Sequence, residues 1–271
     1  MNHTAVILSF VGMIIAQDLQ DLSNDRIPQL VEDIGSAIVM IVAEGDHYRD
    51  KRQGSGVVVG NGEYVITNAH VVTGARKVVV KFLSGKQQTV YGYSAADKKR
   101  DLVSIKIKNN VGVNSVKMRR STNVKIGESV VAIGNPQGLS HSVSAGIISG
   151  KREFAKGINV LQTTAPISPG SSGGGLFDME GRLIGITSFL HKGGQNLNFA
   201  YPSEFITSLL NHYDYQSFRN LNYNTTTQDT KNDANVYVTK TGKKFHKYGC
   251  SYLRKGSRPI KFSIATHRYT P

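Results

Sequence analysis

The spacing of short apolar runs constrains this chain more than any other feature. Between Ser36 and Tyr201 the sequence reads SAIVMIVA (36–43), GVVVG (56–60), YVIT (64–67), KVVVKF (77–82), LVSIKI (102–107) and SVVAIG (129–134). It continues with VSAGIISG (143–150), NVLQT (159–163) and RLIGITSFL (182–190), the runs being separated by glycine and polar turn residues. Val, Ile and Phe suit a pleated, half-buried surface, and glycine supplies the turns between such strands. No segment of helical period lies between them, which excludes alternating βαβ units and predicts an all-β fold of antiparallel barrels or sandwiches. A hydrophobic fraction of 39% provides a core and excludes a wholly disordered chain.

The ends differ from this pattern. Ala5–Ala16 (AVILSFVGMIIA) is an apolar run that fits the core of a signal peptide and is short of the ~20 residues needed to cross a bilayer as a helix. Cleavage is expected near Ala16–Gln17, with residues 1–16 removed and the chain exported to a periplasmic or extracellular space. The alternative is an uncleaved anchor formed by residues 5–16. A domain over 17–213 is expected to close with a helix at Ser203–Tyr213, where Ser203 would cap and Phe205, Ile206, Leu209 and Leu210 share one face. Residues 214–235 are rich in Asn, Thr, Asp and Gln and read as a linker to a small basic unit over 236–271.

Charge separates these regions. From Lys231 to Pro271 there are ten Lys and Arg against the single acid Asp233, so this stretch carries +9 of the formal +14. The remainder is mildly basic and gives no ground for a specific nucleic-acid binder, although the tail could meet an anionic surface. Cys250 is the only cysteine, so no intrachain disulfide can form.

Three local motifs carry chemistry. Thr67-Asn68-Ala69-His70-Val71-Val72 places a histidine directly after the strand-like YVIT, where a tight turn can hold the ring rigid against a cleft. Asp101 abuts the alternating run LVSIKI, where its carboxylate would be held firmly enough to orient a histidine. Asp97 is the competing acid. In Gly170-Ser171-Ser172-Gly173-Gly174 the glycines free the backbone to converge N–H groups beside a nucleophile, as an oxyanion hole requires. Gly170 and Ser172 would donate those N–H groups. Ser171 is the rival nucleophile, but the Gly-x-Ser-Gly-Gly frame centres on Ser172.

TNAHVV, DLVSIKI, AIGNPQGL (132–139) and GSSGGGL, in that order, resemble the Deg-type (HtrA-like) branch of trypsin-fold serine proteases over about Ser36 to Glu204. The resemblance implies two six-stranded antiparallel β-barrels with the reactive residues in the cleft between them. It also implies that His70 is the base, Asp101 the acid that orients it, and Ser172 the nucleophile of a serine endopeptidase, with Gly170 and Ser172 forming the oxyanion hole. Thr187, Ser188, Phe189 and Leu190 would pair with an extended polypeptide substrate, Ile167 and Leu190 would line the primary pocket, and a homotrimer is frequent in the family. No acid precedes the nucleophile to recruit a basic side chain, so small or medium apolar side chains are the expected preference. Asn198–Pro202 matches the family's closing strand.

Family members usually carry PDZ domains after the protease domain, and the roughly 70 residues after Tyr201 are too few for a helix, a linker and such a domain. The tail instead resembles a bacterial Cys/His module, with His246 and Cys250 matching its first ligand pair. A structural zinc needs four ligands, and His267 would bring the number only to three, so a metal-free remnant is the favoured reading. Two competing functions stand beside the protease: a catalytically silent, protease-like binding protein, and a polyanion-docking protein acting through its basic tail.

Overall fold

The computed structural model describes residues 26–46, 50–108, 112–135, 142–155, 157–168, 170–188, 198–212 and 214–221, with short strands at 235–238, 245–246 and 258–261. The signal-peptide segment lies outside the described residues. The chain divides into two compact units, Met1–Tyr223 and Asn224–Pro271.

Among the described residues of the first unit, the helix Arg26–Gly35 comes first, and the strand pattern does not anticipate it. Ile27, Leu30, Val31 and Ile34 recur at helical spacing and pack on the core, while Arg26 Nε donates to the carbonyl of Met179 at 2.9 Å. There follow β1 (Ile38–Glu44), β2 (Lys51–Val59), β3 (Tyr64–Asn68), β4 (Lys77–Lys81), β5 (Gln87–Val90), β6 (Gly92–Tyr93), β7 (Ala95–Asp97) and β8 (Leu102–Lys106). Seven of these form one antiparallel sheet in the order β5-β4-β1-β2-β3-β8-β7. The second lobe comprises β9 (Ser129–Gly134), β10 (Ser142–Ala155), β11 (Ile158–Thr163), β12 (Gly175–Asp178), β13 (Leu183–Ser188) and β14 (Asn198–Pro202), closed as β10-β11-β14-β13-β12-β9.

The double-barrel architecture is therefore present with one difference. The second lobe is a closed six-stranded barrel, whereas the first is a curled seven-stranded sheet whose edge strands β5 and β7 are not paired to each other. Closure of the second lobe leaves it no exposed sheet edge. One apolar cluster runs across both lobes, joining Ile41, Val57 and Ile66 of the first to Ile133, Phe177 and Ile186 of the second. Its burial holds the lobes together and fixes the cleft between them.

Two expectations are corrected after β14. The helix over 203–213 is replaced by two short 3₁₀ turns, Ser203–Phe205 and Thr207–Leu209. Ser203 does not cap: its hydroxyl donates to the Arg119 carbonyl at 2.6 Å. Glu204 is tied to the backbone N–H and hydroxyl of Ser121 at 2.9 and 2.6 Å, so tertiary bonds hold the turn where a helix ladder was expected. The buried face survives in part, with Ile206 and Leu209 buried and Phe205 and Leu210 partly so.

The expected linker also starts too early. β15 (Gln216–Ser217) pairs with β6, Tyr93 Oη donates to Gln216 Oε1 at 2.8 Å, and Phe218 and Leu221 are fully buried. Polar composition concealed two anchor residues that belong to the globular unit. In the second unit β16 (Asn235–Val238) lies between β17 (Phe245–His246) and β18 (Arg258–Lys261) in a small antiparallel sheet.

Candidate active site

His70 sits in a single helical turn, Ala69–Val72, directly after β3. Asp101 occupies the turn before β8, the strand paired with β3, so two neighbouring strand ends present the two side chains to each other. His70 Nδ1 lies 2.6 Å from Asp101 Oδ2, and the backbone N–H of His70 donates to Asp101 Oδ1 at 2.9 Å. Both carboxylate oxygens are thus engaged by one residue. The Asp101 side chain is 4% exposed and the His70 side chain 39% exposed. Nδ1 is turned to the buried carboxylate, while the His70 side chain as a whole stays partly exposed.

Asp101 takes a left-handed backbone conformation, φ 53°. Such a conformation costs a non-glycine residue about 1 kcal/mol, and aspartate is among the residues that tolerate it. Its carbonyl accepts from the Ala69 N–H at 2.9 Å and from Asn68 Nδ2 at 3.0 Å, which fixes the turn from the histidine side. Asp97, the competing acid, has a different occupation. Its carboxylate accepts from the Lys99 and Arg100 N–H groups at 3.0 and 3.1 Å and from the Arg100 guanidinium at 2.6 Å. That guanidinium lies 3.8 Å above the ring of Phe205. Asp97 therefore shapes the turn from which Asp101 projects and does not reach His70.

The serine motif forms the loop entering β12. The Ser171 N–H donates to the Ser168 carbonyl at 2.9 Å, and Gly170 has φ 94°. Glycine adopts that left-handed φ without strain. Thr187 on β13 pins the loop through three bonds: the Gly173 N–H to its carbonyl at 2.9 Å, its own N–H to Gly174 at 2.8 Å, and its hydroxyl to the Ser171 carbonyl at 2.8 Å. The first lobe grips the other side. The Ser55 N–H donates to the Ser172 carbonyl at 2.8 Å, and the Ser55 hydroxyl to the Gly170 carbonyl at 2.8 Å.

Gly173 shows how closely the loop meets the histidine turn. A Cβ there would stand 2.2 Å from the Ser55 carbonyl oxygen, 2.3 Å from Thr67 Oγ1 and 3.1 Å from the Asn68 nitrogen. Only glycine permits that approach, which brings Ser172 to the turn carrying His70. The N–H groups of Ser171, Gly173 and Gly174 are committed to backbone carbonyls. Among the described residues, that of Ser172 has no such acceptor.

The remaining expected positions divide. Ile167 is buried and lines a cavity of about 140 Å³ with Ser168, Ser171, Thr187 and Val143. Among the described residues that line it, none is charged. Thr187 does not offer its backbone to a peptide as expected, because both its N–H and its carbonyl are taken by the serine loop. Ser188 ends β13 opposite Phe199 and is buried. Phe189, Leu190, Cys250 and His267 lie outside the described residues, and of His246 the structure describes the backbone, paired with Tyr237. Sequence reasoning missed Ser55, whose signal was faint: a small polar residue between two glycines in Gly54-Ser55-Gly56, with no motif of its own.

Residues 54–186 match the trypsin-like peptidase domain family. A probable periplasmic serine endoprotease DegP-like from Ectopseudomonas mendocina (strain ymp) is 39% identical over 162 residues, covering 56% of this chain and 33% of that protein. A protein of the same description from Hahella chejuensis (strain KCTC 2396) is 35% identical over 179 residues, covering 62% of this chain and 38% of its own length. The chain thus spans about one third of the length of these curated relatives. Among solved structures, the HtrA-type protease AlgW with tripeptide superposes with a TM-score of 0.59 at 30% identity, covering 66% of this chain and 60% of that one. The serine endoprotease from Yersinia pestis gives 0.58 at 30% identity, covering 67% and 64%. The two-lobed unit that carries His70, Asp101 and Ser172 thus matches the trypsin-like peptidase domain family over residues 54–186 and is similar to proteases of the Deg (HtrA-like) type.

Proposed function

We propose that this chain is a serine endopeptidase that cleaves extended polypeptide segments through an acyl-enzyme intermediate. The observation that carries the reading is the two-point grip of Asp101 on His70, beside a glycine-rich loop whose turn geometry suits an oxyanion hole. A carboxylate accepting from Nδ1 keeps that nitrogen protonated and leaves Nε2 free to act as a base. His70 removes the Ser172 hydroxyl proton as the oxygen attacks a peptide carbonyl, then returns it to the leaving amine. Asp101 stabilises the imidazolium formed in between and stays ionised. The N–H groups of Gly170 and Ser172 receive the negative charge that develops on the carbonyl oxygen, a contribution of about 3–4 kcal/mol per donor in sites of this type. Water then attacks the acyl-enzyme with His70 as base again. No cofactor enters any of these steps.

The uncharged lining of the cavity beside Ile167 supports a preference for small or medium apolar side chains next to the cleaved bond. An extended peptide is the form of substrate that such a cleft admits as an added strand. The periplasmic designation of the curated relatives, together with the apolar run 5–16, supports export. Among the described residues no helix is long and apolar enough to cross a membrane.

A fluorophosphonate probe tests the reading directly, since it forms a stable bond with an activated serine. The chain is expected to label at Ser172 at neutral pH, and Ser172→Ala to lose labelling and peptide hydrolysis together. A folded sample that does not label, or that labels equally after Ser172→Ala, overturns the proposal.

A further inference from the structure

The loop that carries Gly170 and Ser172 belongs to the second lobe, yet its best-directed anchor comes from the first. Ser55 lies in β2, fully buried, and makes four hydrogen bonds to residues in three different segments. Its hydroxyl accepts from the Asn135 N–H at 2.7 Å and donates to the Gly170 carbonyl at 2.8 Å. Its backbone N–H donates to the Ser172 carbonyl at 2.8 Å, and its carbonyl accepts from Thr67 Oγ1 at 2.6 Å. The Asn135 N–H can only donate, so the hydroxyl hydrogen of Ser55 has one direction left, toward Gly170. The bond is therefore oriented as well as short.

We infer that Ser55 is a positioning residue for the oxyanion-binding N–H of Gly170. Glycine accepts both signs of φ at similar cost, so the peptide bearing the Gly170 N–H can turn either way unless something outside the turn holds it. The carbonyl of Gly170 is the other end of the same residue. The Gly170 carbonyl and the Ser171 N–H belong to one peptide, held at both ends by Ser55 and the Ser168 carbonyl, and from that fixed plane the φ of 94° sets the direction of the Gly170 N–H. Without the hydroxyl, the Gly170 carbonyl and the Asn135 N–H both lose a buried partner, and the turn is released to relax toward orientations that satisfy them. Ser55 itself touches no reacting atom. It acts by keeping a donor aimed where the oxyanion forms, and misaiming such a donor costs rate without costing ground-state binding.

The inference rests on the reading of Ser172 as nucleophile, and the test separates the two. In the full-length chain, Ser55→Ala is expected to lower kcat on a peptide anilide about 10- to 100-fold while KM stays within about threefold. Affinity for a peptide boronic acid, whose tetrahedral adduct with serine places an oxygen in the oxyanion position, falls by the same factor. Affinity for the matching peptide with a free carboxyl end stays unchanged, and so does the pH dependence of kcat, because the Asp101–His70 contacts are untouched. A folded Ser55→Ala protein with kcat within twofold of the parent, or with its loss confined to KM, overturns the inference. Should Ser55→Ala fail to fold, Ser55→Cys fills the site with a weaker donor, and a Ser55→Cys protein with the parent's kcat and boronate affinity overturns it equally. Fluorophosphonate labelling of the unmodified chain reports separately on Ser172: a parent that does not label defeats the nucleophile assignment, whereas a labelling parent with an indifferent Ser55→Ala defeats this inference alone.

Discussion

Replacing Asp101 by Asn isolates the electrostatic role of the carboxylate, because almost everything else about the site is preserved. Asparagine tolerates the left-handed region occupied here at φ 53°. The bonds from the Ala69 N–H and Asn68 Nδ2 run to the backbone carbonyl and survive. What changes is the pairing with His70. In the parent, Oδ1 accepts from the His70 N–H and Oδ2 faces Nδ1. An amide has one acceptor and one donor end. If its oxygen keeps the backbone N–H, its NH₂ faces Nδ1, which must then lose its proton and move it to Nε2. That tautomer cannot accept the Ser172 proton. If the amide flips, its NH₂ confronts the His70 N–H across 2.9 Å, two donors without an acceptor. The first orientation keeps both bonds but disables the base, and the second sacrifices a bond. A fall in kcat of about 10⁴-fold is expected, equivalent to about 5 kcal/mol in the barrier. The assay is hydrolysis of a peptide anilide with the rate of fluorophosphonate labelling alongside, on protein verified as folded by circular dichroism. Asp97→Asn serves as comparison: it weakens the Arg100 pair and is expected to stay within about tenfold of the parent. Retention of a tenth of the activity by Asp101→Asn, or an equal loss in Asp97→Asn, refutes the assignment of the orienting acid.

Two further outcomes test the scaffold. Phe218 is fully buried and its ring centroid lies 6.1 Å from that of Tyr93, so Phe218→Ala is expected to cost about 3–5 kcal/mol in urea unfolding; an unchanged midpoint would remove residues 214–221 from the globular unit. The Glu128 carboxyl is held below its ordinary value, chiefly by its bond to the Arg119 guanidinium and also by the Lys125 N–H. A carboxylate with a depressed folded-state value stabilises above its unfolded value, near pH 4.5, and loses that contribution as pH falls through the folded one. Glu128→Gln should therefore unfold about 1 kcal/mol more easily at pH 7 and match the parent once the pH has fallen through the folded-state value, and a difference that persists in stronger acid contradicts this origin.

The strands were legible because their signals are local. Runs such as YVIT and SVVAIG carry their own alternation and β-branched side chains, and their flanking glycines mark the ends, so β3 and β9 fall where expected. The failures came where long-range bonds outweighed local preference. SEFITSLLNHY has the period of a helix, but Ser203 and Glu204 are claimed by Arg119 and Ser121, more than eighty positions away. The segment after Asp214 has the composition of a linker, and two side chains, Phe218 and Leu221, anchor it through burial that composition does not reveal.

The sequence by itself determined that this chain is all-β, that His70 follows a strand, and that Ser172 sits in a glycine-rich loop, each a property of a few consecutive residues. Only the tertiary structure decided that Asp101 rather than Asp97 meets His70, since both acids precede β8 and the choice depends on a contact spanning 31 positions. It also showed that the backbone N–H and carbonyl of Thr187 are taken by the serine loop. Ser55 emerged only there too, because the hydroxyl that meets Gly170 across 115 positions leaves no trace in its own neighbourhood. Local physics writes strands and turns into the chain, while the aim of a buried hydrogen bond exists only once distant segments have been packed together.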